Sequence, residues 1–324
     1  MIITRSRLSL ATAILMIGIG LAEPAWAEHF FFSTGNPDGR LGALSRRPSP
    51  GKIETETADD FALTETTVIS QAVITGLIVV PNTMALDSIS QVEVELYHVF
   101  PLDSDLSRTI RVPTRVNSPA DVEIDTATRD PLARTLSFSS TLLNPSFTVA
   151  NSVVNGINAS PNQLTHGEGP QSGEEVAITI NFTTPIILPA GHYFFRPEVL
   201  VNGGDFLYLS APRPIVPPGT GFPAGVTDLQ AWIRNANLNP DWLRIGTDII
   251  GIIPPATTAP TFNMTFSLAG DTVPEAGTPG QANCHGKTIS ALARQFRGIN
   301  AAVLALGASS VNDLQDSVGR FCNP

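Results

Sequence analysis

Between residues 68 and 270 the chain alternates apolar and polar positions with a period of two. "QVEVELYHV" sets Val92, Val94 and Leu96 on one face and Gln91, Glu93, Glu95 and Tyr97 on the other. "VAITINF" does the same with Val176, Ile178, Ile180 and Phe182, and "FNMTFSL" with Phe262, Met264, Phe266 and Leu268. Apolar side chains at every second position predict half-buried antiparallel strands. Further strand candidates are "VISQAVITGLIVV", "TLSFSSTLL", "SFTVANSVV", "GHYFFRPEVLV", "FLYLS", "AWIRN" and "WLRIG", punctuated by Pro, Gly, Asn and Asp clusters. No helical periodicity interrupts them. The pattern predicts a mainly β domain over residues 28–270, an antiparallel two-sheet sandwich of jelly-roll-like type. "APRPIVPPGTGFPAG" (211–225) cannot be a central strand, because its prolines donate no ladder hydrogen bonds. It is expected to run over the surface.

The period changes near the C-terminus. "DTVPEAGTPGQA" (271–282) has the composition of a linker, and residues 283–324 then space their apolar side chains as helices do. Ile289, Leu292, Ala293 and Phe296 form one stripe, and "INAAVLALG" a second helix ended by Gly307. Val311, Leu314, Val318 and Phe321 follow Ser310, a predicted N-cap with Asp313 in the first turn. Three helices in roughly 40 residues hold too small a core without a staple. Both cysteines of the chain, Cys284 and Cys322, flank this unit.

The N-terminus gives a reason to pair them. Arg5 and Arg7, an apolar run from Leu8 to Leu21 and "AWA" at 25–27 read as a signal peptide over residues 1–27. The run is shorter than the ~20 residues a membrane anchor needs, so no transmembrane segment is expected after cleavage. Export to the periplasm, cell surface or medium places the thiols where disulfides form. A bridge closing a loop of this length is worth about 4 kcal/mol in the chain-entropy model.

Charge narrows the partners. The formal net charge is −10, and loss of Arg5, Arg7 and Glu23 with the leader makes it −11. Such a field disfavours nucleic acid and anionic lipid. Charged residues are only 15% of the chain, with 27 Pro and 26 Gly, a composition that suits a secreted β protein.

Several blocks carry a resemblance. "FSTGNPDGRLGALSRRPSPGKIETETADDF", "RVNSPADVE", "NGINASPNQ", "LSAPRPIVPPGT" and "AWIRNANLNPDWLRIGTDI" resemble segments of uncharacterised exported bacterial β-sandwich proteins. The "NCHGKTISALARQF…SVGRFC" tail is similar to a small C-terminal module of other secreted bacterial proteins. The resemblance implies an exported sandwich and supplies no catalytic residues.

Familiar catalytic signatures (GxSxG, HExxH, GxxxxGK[ST]) are missing from the sequence. Glu93 and Glu95 are the best acid–base pair. Two apart on one strand, they project from the same face about 7 Å apart, against roughly 5–5.5 Å for a retaining glycosidase pair. Trp232 and Trp242 could stack on sugar rings, joined by Tyr208, with Arg234 bonding hydroxyls; the plain alternative is core packing. Asp59 and Asp60, and Asp103 and Asp105, read as loop oxygens of the kind that hold a structural calcium ion. The leading expectation is a non-catalytic surface or matrix protein that binds carbohydrate or a protein partner, a polysaccharide or a cell-surface protein. The alternatives are a glycoside hydrolase-like enzyme using Glu93 and Glu95, and a purely structural surface protein.

Overall fold

The alternating segments all contribute to strands in the computed structural model, which describes residues 28–80, 86–160 and 164–323. The expected signal peptide lies outside the described residues. In chain order the strands are β1 (His29–Ser33), β2 (Leu41–Leu44), β3 (Thr55–Leu63), β4 (Thr67–Val79), β5 (Ile89–His98), β6 (Ser137–Val149) and β7 (Asn151–Val153). They continue with β8 (Gln171–Leu188), β9 (Gly191–Val201), β10 (Asp205–Ala211), β11 (Trp232–Asn235), β12 (Leu243–Arg244), β13 (Asn263–Met264) and β14 (Phe266–Thr272). One sheet has nine strands, with the path β1-β14-β4-β10-β2-β7, β8 and β6 added beyond β4, and β13 on β10. The other has five, in the order β12-β11-β3-β9-β5. Neighbours pair antiparallel except β2 with β7.

Between the sheets lies one large apolar core. Phe61, Val92, Val94, Leu96 and Phe195 enter it from the five-stranded sheet, and Ile74, Ile178, Ile180, Phe206 and Phe266 from the nine-stranded sheet. Phe195 stacks on Phe266 across the gap, 5.1 Å between centroids. At about 1.5–3 kcal/mol for each large side chain taken from water, this burial drives the sandwich together. The period-two reading of β5 holds, with Val92, Val94 and Leu96 buried inward and Gln91, Glu93 and Glu95 half-buried on the outer face.

Two sequence expectations need correction. Asp59 and Asp60 were expected on a loop; they lie in β3, a central strand whose nine residues are all buried. Its sequence, "TETADDFAL", looks too polar for such a place. β3 tolerates it because both faces are met by partners: on the inner side Asp59 accepts from Met264 N and Thr57 donates to Leu44 O, and on the outer side a roof of two irregular segments, about residues 100–122 and 236–242, covers the five-stranded sheet. Trp242 Nε1 donates to Ala120 O at 3.1 Å, Arg111 N donates to Asp241 Oδ2 at 2.8 Å, and Arg108 pairs with Asp241 to join the two segments. Within the first, Asp121 accepts from Arg108 Nε at 2.9 Å and Arg115 Nη2 at 2.7 Å.

The second correction concerns residues 271–282. β14 runs through Thr272, and Val273 N donates to Thr66 O at 2.7 Å, so the sandwich extends past residue 270 into the expected linker. Three helices follow, α1 (Cys284–Gln295), α2 (Ile299–Ala305) and α3 (Val311–Cys322). Cys284 and Cys322 form the disulfide, with Cα atoms 5.7 Å apart. Ser310 caps α3, its Oγ accepting from Asp313 N at 3.1 Å, and Gly307 takes the left-handed φ of 68° after α2. The helices are not a detached module. Val68 and Ile187 of the sandwich share an apolar cluster with Leu292, Leu306, Leu314 and Phe321, and Ser309 N donates to Thr183 O at 3.0 Å. Among the described residues no helix is long and apolar enough to cross a membrane.

Candidate functional site

The roofed outer face holds most of the residues singled out by chemistry. β5 presents Glu93, Glu95 and Tyr97 there; β9 adds Arg196 and Glu198, β3 adds Glu56, and β11 adds Arg234. Arg196, 2% exposed, is the hub: Nη2 lies 2.6 Å from Glu95 Oε2, Nη1 2.8 Å from Glu198 Oε2 and Nε 3.5 Å from Glu56 Oε2. The contacts to Glu198 and Glu56 are ion pairs without hydrogen-bond alignment. Arg234 Nε donates to Glu56 Oε2 at 2.6 Å and its Nη2 to Tyr97 Oη at 2.9 Å. Tyr97 in turn donates to Glu95 Oε2 at 2.5 Å.

Burial sets the titration of this group. It pushes Glu95 up to about 6 against the pull of Arg196 and Tyr97. It raises Glu93 despite Arg47, whose Nη2 lies 3.1 Å away, and drives Glu198 well above the ordinary carboxylate range. Glu93 and Glu95 therefore share a face, as the sequence predicted, yet each is held by an arginine. Neither lines any of the clefts described below.

The exposed aromatic platform is corrected by the same roof. Trp232 and Trp242 are 1% and 2% exposed, Tyr208 is enclosed in the inter-sheet core, and Arg234 is buried beneath the Trp242 ring at 4.2 Å. Trp242 packs edge-on against Tyr97 with Ala58, Phe194 and Leu229 around it. Large aromatic area is withdrawn from water here and is unavailable for stacking on a ligand.

The four aspartates separate. Asp59 Oδ2 accepts from Met264 N at 2.7 Å, and burial raises its carboxyl well above the usual range. Asp60 Oδ2 lies 2.5 Å from His192 Nε2 and accepts from Leu229 N at 3.0 Å. Asp103 meets His98, while Asp105 Oδ1 accepts from Ser107 N at 2.8 Å and closes a turn. Among the described residues they join no group of three or more His, Cys, Asp or Glu that would hold an ion.

Two openings lie at the margins of the roof. The first, of about 510 Å³, is edged by His192 with Asp60 fixed behind it, and its walls are mainly apolar (Leu63, Val99, Val226, Leu229). The second, of about 260 Å³, is built where β11 ends. Asn235 makes its wall: Nδ2 donates to Ile157 O at 2.9 Å, and Oδ1 accepts from the backbone of Asn237 and Leu238 at 3.1 Å. Opposite, Glu168 accepts the backbone N–H groups of Val154, Asn155 and Gly156 at 2.8–2.9 Å and so shapes that turn. The result brings Asn155, Asn158 and Asn237 around one cleft that Arg46, Thr55, Ile53, Val154, Ile157 and Leu238 also line. All three asparagines are exposed, and their side-chain amides make no hydrogen bond among the described residues. Sequence reasoning did not single them out. Their signal is two asparagine-rich blocks, "NGINAS" and "NANLN", which the fold brings together.

No protein-family model matches the chain, and no curated protein or solved structure is significantly similar to it.

Proposed function

We propose that the protein is an exported, non-catalytic surface or matrix component that binds carbohydrate, and that the asparagine-lined cleft makes the contact. One observation carries the reading: three carboxamides uncommitted among the described residues converge on one cleft. Each carboxamide offers two N–H donors and an acceptor oxygen, the complement of neighbouring sugar hydroxyls. Ile53 and Val154 beside them offer aliphatic contact to the C–H face of a pyranose. At about 260 Å³ the cleft falls just below the ~300 Å³ at which drug-sized pockets begin, so it fits a single sugar unit of a chain or chain end. The leader-like residues 1–27 and the Cys284–Cys322 bridge support export to an oxidising compartment.

The test is a pull-down on a panel of insoluble polysaccharides and peptidoglycan, with released reducing sugar assayed in the same tubes. Binding without release is expected, and the paired change Asn155→Ala with Asn237→Ala should abolish it on the neutral polysaccharides of the panel. Retention unaffected by that pair would overturn the assignment. The runner-up, a polysaccharide-active enzyme, is favoured by one feature, the carboxyl of Glu95 titrating near 6. Sugar release that is lost in Glu95→Gln would establish it instead.

A further inference from the structure

A third cleft, of about 300 Å³, opens at the start of β11, between the roof turn around Asn117, the 227–230 segment and Arg244. Its wall contains an anomaly. Trp232 is 1% exposed, and its indole Nε1 has no hydrogen-bond partner among the described residues. The other buried indole, Trp242, donates to Ala120 O. A buried donor left unmet costs about 1–3 kcal/mol, and such groups are rare enough in native proteins to call for a reason.

The neighbouring groups point the same way. Arg244 holds its guanidinium over the Trp232 ring, 6.0 Å from the centroid. Its Nε and Nη2 are committed to Asp248, and Nη1 is not. Gln230 uses only its Oε1, toward Thr247 at 3.3 Å, which leaves the amide N–H₂ uncommitted. Asn117, held at φ 63° on the rim, makes no side-chain hydrogen bond among the described residues. The cleft's carboxylate is by contrast occupied: Asp228 accepts from Arg213 through Oδ1 at 2.7 Å and from Asn263 through Oδ2 at 3.1 Å. Uncommitted donors of Arg244, Gln230 and Asn117 therefore line the opening, with the enclosed Trp232 Nε1 in its wall, while its carboxylate is filled. A ligand that satisfies this lining brings acceptors.

We propose that this cleft binds an oxyanion group, a carboxylate or sulfate, against the Trp232 wall, with Arg244 Nη1 and the Gln230 amide as its donors. The overall charge of −10 does not prevent this. At physiological salt, charges beyond about 8 Å are largely screened, and the two nearby carboxylates, Asp228 and Asp248, are each paired with an arginine. The oxyanion chemistry stands on these donors alone; that it is carried by a sugar rests on the carbohydrate reading above.

The purified protein, labelled with nitrogen-15, is titrated with galacturonate, galactose 6-sulfate and neutral galactose while the indole N–H resonances are followed. Galacturonate or the sulfate should shift the Trp232 resonance, assigned through Trp232→Phe, and leave that of Trp242 in place. Which of the two acts identifies the oxyanion. Arg244→Gln should weaken binding about tenfold or more, as expected for loss of a charge-assisted donor. Gln230→Ala, which leaves Asp248 paired, should weaken it about fivefold. No shift with either anion, an equal shift with galactose, or unchanged affinity in both variants would overturn the proposal. None of these outcomes bears on the asparagine cleft, whose test is the polysaccharide pull-down.

Discussion

Replacing Glu95 by Gln isolates one carboxyl of the roofed network and has a calculable consequence. Glu95 is 12% exposed, accepts from Tyr97 and Arg196, and titrates near 6 instead of its ordinary 4.5. Burial therefore outweighs both favourable partners. In the window between those two values the native state holds this proton and the unfolded chain does not. The stabilising contribution is fully present below about pH 4.5 and is lost as pH rises through about 6. The difference corresponds to about 2 kcal/mol by neutral pH. Glu93 and Glu198 are raised by burial in the same direction and steepen the trend. Gln keeps the shape and an acceptor oxygen while removing the charge, and Arg196 retains Glu198 and Glu56 as partners. Urea unfolding followed by tryptophan fluorescence should thus show the wild type losing stability between about pH 5 and about pH 7.5. Glu95→Gln should lose about 1 kcal/mol less over the same interval, because part of the contribution is already gone by pH 5. Wild type and variant curves that stay parallel across it would refute the burial argument.

Other expectations follow from the tail. Cys322→Ser should lower the urea-derived stability of the helical segment by about 4 kcal/mol, and α1 and α3 should lose hydrogen-exchange protection before the sheets do. Ending the chain at Thr272 uncovers Val68 and Ile187, now 0% and 6% exposed, and should cost the sandwich about 3–6 kcal/mol; an unchanged unfolding midpoint would show the helices to be independent. Ser310→Ala removes the α3 cap and should destabilise by about 1 kcal/mol, read as earlier exchange in the first turn of α3.

How much was legible in the sequence followed from which forces act locally. β5 and β8 announce themselves because one face meets the core and the other does not. α3 does so through its N-cap and apolar stripe. β3 hid because its carboxylates are met by groups far away in the chain, Met264 for Asp59, His192 and Leu229 for Asp60 and Arg234 for Glu56, and such partners leave no local pattern to read. The roof reverses the apparent meaning of Trp242, whose burial is decided by Ala120, Arg234 and Tyr97, and Trp232 shares its apolar cluster. Glu93 and Glu95 were placed correctly on one face, but the arginines that hold them come from β9 and the segment after β2. The asparagine cleft depends on a bond between Asn235 and Ile157 that no local rule supplies.

An antiparallel sheet ordinarily leaves its outer face to water. Here that face is covered, and its charges can persist beneath the roof only in pairs, since an unpaired buried ion costs several kcal/mol. Chemistry that must meet a ligand is thereby displaced to the margins of the roof. β11 shows this within four residues: Trp232 at its start lines the donor-rich cleft, and Asn235 at its end shapes the asparagine cleft. Arg234 between them is turned inward onto Glu56 and Tyr97. A strand so short and so fixed by its neighbours holds both openings in a constant relation. Two contacts on one extended acidic glycan would then act as linked sites whose affinities reinforce each other only when the chain spans both. Polymer should therefore bind more tightly than its monosaccharide by more than a doubling of sites explains. Asn155→Ala with Asn237→Ala, or Arg244→Gln alone, should each return polymer affinity to the single-site value. A polymer that binds no more tightly than the monosaccharide would show that the two openings serve different ligands.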